Sequence, residues 1–289
     1  MYPSPFDYYR PKTLAEATEL LVQHKDAKVL AGGHSLLPAM KLRVAAPTAL
    51  VDIGGLRELQ GIELSGTSLK IGALTTHAMI ASSEIIQKSC PILAEAAGQI
   101  GDLQVRNRGT IGGSLAHADP AADFPTVITA LGGSMSVSGL KGSRTIAAES
   151  FFVDLFTTAL GPGELLTSIS VPVYGRGSGG AYLKHSHPAS SYAVIGIAAL
   201  AEMKAGKCAR VSLAVGGATT KPTRAAAAER ALMGTAPDAA AVARAAAKVA
   251  EAIHDPISDL YASGEYRRHL ATVLARRALT LAIQRGQVP

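Results

Sequence analysis

Cysteine is scarce in this sequence of 289 residues, which contains only Cys90 and Cys208. The two form no Cys-x-x-Cys pair, and no histidine lies near either of them at the spacing of metal ligands. A structural zinc site or an iron–sulfur cluster needs more thiolate or imidazole ligands than these. We therefore expect neither kind of site within this chain, and no disulfide if the protein occupies a reducing compartment.

Aromatic residues make up only 4% of the sequence, and tryptophan is absent. A formal net charge of +6 favours a nucleic-acid partner only where basic residues form a patch with aromatic ones. Here the lysines and arginines are spread along the chain, with one concentration at Arg267, Arg268, Arg276, Arg277 and Arg285. We interpret that concentration as a solvated or partner-facing helix surface, and we expect no nucleic-acid partner.

Long apolar runs are missing as well, because none approaches the ~20 residues of a membrane-spanning helix. The segment from Met1 to Asp7 also lacks the basic and apolar regions of a secretory signal. These features predict a cytoplasmic protein that does not span a membrane. With 48% hydrophobic and 17% charged residues, the chain can bury a substantial core, and its length suggests about two domains.

Glycine, by contrast, is plentiful, and two turns with paired glycines are the most informative feature of the sequence. They consist of Ala31, Gly32, Gly33, His34 and Ser35, and of Thr110, Ile111, Gly112, Gly113 and Ser114. Paired glycines allow positive φ and a close approach of the backbone to a ligand. The exposed peptide N–H groups of such a turn form an anion-binding concavity, to which serine adds a hydroxyl group. Two turns of similar sequence therefore predict two cradles for the two phosphates of a dinucleotide.

The first of these turns is expected at the start of a helix. Lys28 to Ala31 is strand-like, Ser35 begins a short helical pattern that continues to about Met40, and Ala49 to Ile53 is again strand-like. A helix N-terminus presents free backbone N–H groups and the positive end of the helix dipole to an anion. The order strand, turn, helix, strand therefore favours phosphate binding at the first turn.

Short strands alternating with helices indicate an α+β protein. The glycine-rich segment from Tyr174 to Gly180 is the best candidate for a domain boundary, and three strand-like runs and an alanine-rich helical region follow it. Asp119-Pro120 and Thr235 to Asp238 have the patterns of helix starts. We predict a first domain with two subdomains, and a C-terminal domain with a small antiparallel sheet of three strands and a helical bundle. The predicted ranges are 1–175 for the first domain, 1–55 and 56–175 for its subdomains, and 176–289 for the C-terminal domain.

The two turns, Asp123 downstream of them and the segment from Glu164 to Val171 resemble the FAD-binding medium subunit of molybdenum hydroxylases. The resemblance is strongest to the carbon monoxide dehydrogenase type, which is related to the flavin domain of xanthine dehydrogenase. It extends from Phe6-Asp7-Tyr8 to the C-terminal helices. It implies a FAD-binding PCMH-type fold, similar to that of vanillyl-alcohol oxidase, with two α/β subdomains followed by the C-terminal sheet and helices.

The resemblance also implies roles for individual residues. Both turns would hold the FAD pyrophosphate through backbone N–H groups and serine hydroxyls. Asp123 would lie near the adenosine end, Leu166 and Lys184 would contact the cofactor, and Tyr192 would cover the isoalloxazine ring. The alternatives are that Asp123 caps its helix, that Lys184 lies on the surface with a buried stem, and that Tyr192 belongs to a strand core.

Two residues depart from the pattern of the family, which often carries asparagine where Ser114 and His117 stand here. Both side chains can still form hydrogen bonds. We therefore expect FAD to bind, with different contacts near the ring.

The function implied by the resemblance is that of an electron-transfer flavoprotein subunit, with no catalytic residue and no metal of its own. A large partner with the molybdenum cofactor would hydroxylate the substrate, and a small partner with [2Fe-2S] clusters would pass electrons to FAD on this chain. The assembly would be a dimer of heterotrimers that reduces an external acceptor. Two alternatives remain, a self-contained flavin oxidase of the same fold and a non-enzymatic nucleotide-binding protein.

Overall fold

The computed structural model describes residues 2–287, and its first unit is a small parallel sheet. The elements of this unit are β1 (Asp7–Tyr9), α1 (Leu14–Gln23), β2 (Lys28–Leu30), α2 (Leu36–Lys41) and β3 (Ala49–Asp52). The strands pair in the order β1-β3-β2, and both pairs are parallel. The Thr13 side chain accepts a hydrogen bond from the Glu16 amide at 3.2 Å, which satisfies one of the free amides at the start of α1.

The second unit is an antiparallel sheet of five strands with several helices. A short 3₁₀ turn, Arg57–Leu59, leads into it. Its elements are β4 (Ile62–Ser65), β5 (Ser68–Gly72), α3 (His77–Ser82), α4 (Glu84–Ser89), α5 (Pro91–Gly98), α6 (Leu103–Arg108), α7 (Ile111–His117), α8 (Asp123–Leu131), β6 (Ser134–Gly139), β7 (Gly142–Ala147), α9 (Ala148–Phe151), β8 (Phe152–Asp154), β9 (Thr157–Thr158) and β10 (Leu165–Pro172). The five strands pair in the order β4-β5-β10-β6-β7, while β8 and β9 form a separate hairpin.

The third unit is an antiparallel sheet covered by helices. Its elements are β11 (Ser178–Ser186), β12 (Ala193–Lys204), β13 (Lys207–Gly216), β14 (Thr223–Arg224), α10 (Ala226–Leu232), α11 (Ala239–Ala247), a 3₁₀ segment (Lys248–Ala252) and α12 (Gly264–Gln287). The three predicted strands are present, and the two-residue strand β14 pairs with β13 as a fourth. The α+β fold class is thus confirmed. Among residues 2–287, no helix is both long enough and apolar enough to cross a membrane.

The helix α8 connects the second and third units. All nine of its residues are buried, and it packs against both β12 and β13. Side chains alternate between the two faces of a strand, so Tyr182 on β11 points towards the core around α8, whereas its neighbour Ala181 packs under the C-terminal helices. The C-terminal sheet therefore lies between α8 on one face and α12 on the other.

Two helices begin later than the sequence predicts. The predicted start at Asp119-Pro120 is wrong because the Asp119 carboxylate accepts from the Ala121 amide in a turn, and α8 begins only at Asp123. The predicted start at Thr235 is wrong because its hydroxyl donates to the carbonyl of Leu232. Asp238 caps α11 instead, by accepting from a backbone amide.

The close packing of α12 on β11 gives a test of the third unit. An ideal Cβ on Gly179 would lie 2.2 Å from the Ala282 carbonyl oxygen and 2.5 Å from the Gly286 amide nitrogen. We expect Gly179→Ala to lower the free energy of unfolding by about 1–3 kcal/mol, because the helix has to move away from the strand. Urea unfolding followed by circular dichroism measures the change.

The matched control is Gly98→Ala at the end of α5, where no atom lies within 4 Å of the added carbon. It should be neutral or slightly stabilising, since glycine in a helix costs conformational entropy. If Gly179→Ala were as stable as the unaltered chain, the close contact between α12 and β11 would be wrong.

Candidate functional site

The structure brings the two glycine-paired turns into contact, although they are far apart in sequence. An ideal Cβ on Gly32 would lie 2.1 Å from the carbonyl oxygen of Arg108, just ahead of the second turn. An ideal Cβ on Gly113 would lie 3.9 Å from Cβ of Ala31. Only glycine fits at position 32, because any side chain there would overlap backbone atoms.

The first turn presents unused backbone donors. Gly33 has a φ of +76°, which turns the chain sharply between β2 and α2. Within residues 2–287, none of the amides of Gly32, Gly33, His34 and Ser35 donates a hydrogen bond. The Ser35 hydroxyl does not cap α2 either. A run of consecutive unpaired amides is the arrangement that binds anions such as phosphate.

The second turn has a different structure, since its glycines lie in the first turn of α7. Four of its five backbone amides, those of Ile111 to Ser114, donate within the protein, so the expectation that a phosphate binds to the amides of this turn is wrong for these four. The Ile111 amide donates to the Thr75 carbonyl, the Gly112 amide to Ala73, and the Gly113 amide to the Thr110 hydroxyl.

The fourth amide, that of Ser114, donates to the Thr110 carbonyl. Gly112 is needed for packing, since an ideal Cβ there would lie 2.6 Å from the Ala73 carbonyl oxygen. The hydroxyl of the half-buried Ser114 is one polar group that this turn leaves available.

Tyr192 reaches the first turn from the third unit. It precedes β12 and is 40% exposed, so the alternative that it belongs to a strand core is wrong. Burial by its neighbours raises the pKa of the Tyr192 phenol, Asp119 raises it further, and a hydrogen bond with the Ser35 side chain acts in the opposite direction. The side chain therefore lies beside both the first turn and the segment that follows α7.

Asp123 and Lys184 form a buried ion pair between the second and third units. The Lys184 ammonium lies 3.0 Å from one carboxylate oxygen of Asp123 and 3.1 Å from the other, and the Tyr182 hydroxyl donates to the carboxylate at 2.5 Å. Burial raises the pKa of Tyr182 well above its usual range, so the phenol remains a hydrogen-bond donor. The alternative that Lys184 lies on the surface is wrong, because only 2% of its side chain is exposed.

Two further acceptors complete the environment of Lys184. Its ammonium donates to the Gln99 carbonyl at 2.8 Å and to the Ser191 carbonyl at 2.7 Å. An ammonium group has three N–H donors, and here each has an acceptor inside the protein. Leu166 is also buried, on β10 beside a bulge in its pairing with β6. Contacts of Asp123, Leu166 and Lys184 with a cofactor stay predictions.

Sequence reasoning missed a buried histidine next to the second turn. The His77 amide donates to the Gly109 carbonyl, and the ring packs 5.3 Å from that of Phe124. Burial, with smaller effects of His34 and Arg106, lowers the pKa of His77 to about 4, so the ring is neutral. Local sequence indicates only a histidine next to a helix cap, whereas its burial accompanies the tertiary bridge between Thr76 and Thr110.

Comparison with known proteins identifies the family. Residues 4–174 match the family model described as the FAD binding domain in molybdopterin dehydrogenase. The chain belongs to the FAD-binding medium subunits of the molybdenum hydroxylases. Residues 181–282 match a second model, the CO dehydrogenase flavoprotein C-terminal domain. The expectations of a FAD-binding PCMH-type fold and of FAD as the cofactor are thereby confirmed.

Individual relatives of this FAD-binding subunit agree over its whole length. The carbon monoxide dehydrogenase medium chain of Afipia carboxidovorans is 41% identical, over 99% of this chain and 100% of its own. The glyceraldehyde dehydrogenase medium chain of Sulfolobus acidocaldarius is 40% identical, over 96% of this chain and 98% of its own. A solved structure of carbon monoxide dehydrogenase from Hydrogenophaga pseudoflava superposes with a TM-score of 0.96 at 42% identity, covering 99% of each chain.

The first turn of this subunit fits the diphosphate of FAD. It offers four adjacent amides and the Ser35 hydroxyl without a Cβ at either glycine, and Ser114 lies in the neighbouring turn. Tyr192 adds an aromatic side chain at the same place. The donors are neutral and remain so at every pH at which the protein is folded.

Replacing Gly33 tests the cradle. Valine at a φ of +76° is strained, so Gly33→Val should redirect the amides and weaken FAD binding by roughly tenfold or more, by loss of one or two hydrogen bonds. The control is Gly66→Val in the turn between β4 and β5, which has a φ of +57° and no atom within 4 Å of the new Cβ. Both variants carry the same kind of strain, but only Gly33→Val should lose FAD, measured by flavin absorbance per chain. Equal FAD content in the two would contradict the assignment.

The buried neutral His77 predicts a pH dependence of stability. Its pKa is about 4 in the folded chain and near 6.5 when unfolded, so the unfolded state binds more protons between these values. The free energy of unfolding should therefore fall as the pH drops from about 6.5 to 4, by up to about 3 kcal/mol. Chemical unfolding across this range should show a weaker fall in His77→Gln. The exposed His269→Gln is the control, and an unchanged pH profile in His77→Gln would contradict the prediction.

Proposed function

We propose that the first turn and Tyr192 hold FAD, and that the subunit takes electrons from [2Fe-2S] clusters of a partner and passes them to an external acceptor. The observation that carries this proposal is the run of four unused amides at the contact between the two turns. Bound FAD exchanges electrons singly or in pairs, which side chains alone do not do. The protein supplies binding and orientation.

Most of the predicted site residues have a direct role in this proposal. The amides of Gly32 to Ser35 bind the pyrophosphate, and Thr110 to Ser114 support them from α7, with the Ser114 hydroxyl as a direct donor. Tyr192 covers the isoalloxazine ring. Leu166 contacts the cofactor, and Asp123 reaches the adenosine end with carboxylate lone pairs that Tyr182 and Lys184 leave unused.

Partner subunits complete the proposal. A [2Fe-2S] cluster takes four ligands, and this chain has two cysteines, both buried and free. The clusters would therefore lie in a small subunit, and the molybdenum cofactor in a large one, as a cytoplasmic dimer of heterotrimers. Medium chains of a carbon monoxide dehydrogenase and a glyceraldehyde dehydrogenase are about equally similar to this chain, at 41% and 40% identity. This similarity supports a role in which the partner selects the substrate.

Purification together with the products of neighbouring genes tests the assignment. We expect a yellow complex in which iron and molybdenum co-purify, and in which substrate bleaches the flavin absorbance only when the partners are present. A yellow chain that oxidises an alcohol without partners would support a flavin oxidase. A colourless chain that gains no flavin absorbance with added FAD would overturn the assignment.

A further inference from the structure

Lys184 has no donor left for a cofactor. Its ammonium group lies between Asp123, the Gln99 carbonyl and the Ser191 carbonyl, all within 3.1 Å, and its side chain is 2% exposed. A direct bond to FAD would require one of these contacts to break. Any effect of Lys184 on the site must therefore act through the three groups to which its ammonium is already hydrogen-bonded.

One of those groups is the residue before Tyr192. Ser191 has a φ of +59°, in the left-handed region that is costly for residues other than glycine. Such a conformation persists only where the surroundings hold it. Two bonds do so here: the Ser191 amide donates to the His187 carbonyl at 2.9 Å, and the Lys184 ammonium makes a charge-assisted bond to the Ser191 carbonyl at 2.7 Å. The backbone direction at Ser191 determines where the next side chain points.

The backbone on the other side of Tyr192 is also fixed. The Ala193 amide donates to the Ala121 carbonyl at 3.1 Å, in the segment between α7 and α8. The Tyr192 carbonyl accepts from the His187 amide at 2.8 Å. The ring itself is 40% exposed, so these backbone contacts, together with the hydrogen bond to the Ser35 side chain, set its position.

We propose that Lys184 is a positioning residue, which holds Tyr192 beside the first turn through the Ser191 carbonyl and does not itself contact FAD. The inference rests on the proposed function for the part that concerns FAD. Asp123 has a matching role, because it anchors the lysine on α8 and so ties the Tyr192 loop, residues 187–192, to the second unit. The ion pair thereby sets the distance between the loop and the phosphate cradle.

The test removes the lysine without leaving a buried charge. Lys184→Met alone would leave Asp123 unpaired, so the main variant is Asp123→Asn/Lys184→Met, in which the amide still accepts from Tyr182. The matched control is Lys207→Met, an exposed lysine of the same sheet. Each full chain is measured with and without added FAD, so that the positioning role is tested even if FAD does not bind.

Without FAD, amide hydrogen exchange reports on the Tyr192 loop. Loss of the charge-assisted bond should speed exchange at Ser191 and Ala193 roughly ten- to a hundredfold, while β13 keeps its rate. Ser191→Gly added to the double variant should restore part of the protection, since glycine adopts the positive φ without strain. Unchanged exchange in a folded double variant would overturn the proposal.

With FAD, the flavin reports on Tyr192. We expect the double variant to raise the fluorescence of bound flavin and to weaken FAD binding roughly two- to tenfold relative to Asp123→Asn alone, which accounts for the contact of Asp123 with the adenosine end, as loss of an aromatic contact does. Tyr192→Leu should do the same, and its combination with the double variant should add nothing further. Additive effects, or a double variant that unfolds at lower temperature with unchanged fluorescence, would make the ion pair purely structural and overturn the proposal. If the unaltered chain binds no FAD, the proposed function fails, whereas the exchange result still decides the positioning role.

Discussion

The close contact between Gly32 and the Arg108 carbonyl is the constraint on which the site depends. A side chain at position 32 would have its Cβ 2.1 Å from that oxygen, so the first turn meets the end of α6 only because glycine stands there. Arg108 is followed closely by Thr110, which caps α7. One backbone contact therefore fixes the relative position of two segments from different units. The free amides of the first turn are useful to a ligand only because the turn is fixed in this way.

The two turns are similar in sequence but differ in how their amides are used, and the residue two positions ahead of the glycines explains part of the difference. In the second turn the Thr110 hydroxyl accepts from the Gly113 amide, and the chain continues as a helix. The first turn has Leu30 at the corresponding position, which has no hydroxyl to accept a bond. Ser35 also leaves the amides of that turn uncapped. The missing hydroxyl accounts for one unused amide, and the others are unused because no carbonyl accepts from them as those of Thr75 and Ala73 do in the second turn.

Local patterns predicted much of the fold, because each depends on residues close in sequence. The strand, turn and helix around Gly33, and the three long strands after Gly180, lie close to where the sequence indicated them. Predictions failed where a side chain had a competing partner, as Asp119 and Thr235 do. The contact between the turns, by contrast, depends on tertiary packing that no local pattern contains.

The buried ion pair is a second feature that depends on tertiary packing and that local sequence patterns do not predict. Apolar residues of similar volume often replace a buried ion pair without loss of stability, so stability alone is a weak explanation for the burial of Asp123 and Lys184 between α8 and β11. Apolar contacts have no direction, whereas a lysine ammonium satisfies acceptors on three separate segments and fixes the orientation of each. One of these acceptors is the carbonyl of Ser191, whose positive φ needs such support. A charged pair in this position therefore gives the site directional control of the loop that ends at Tyr192, which an apolar core cannot provide.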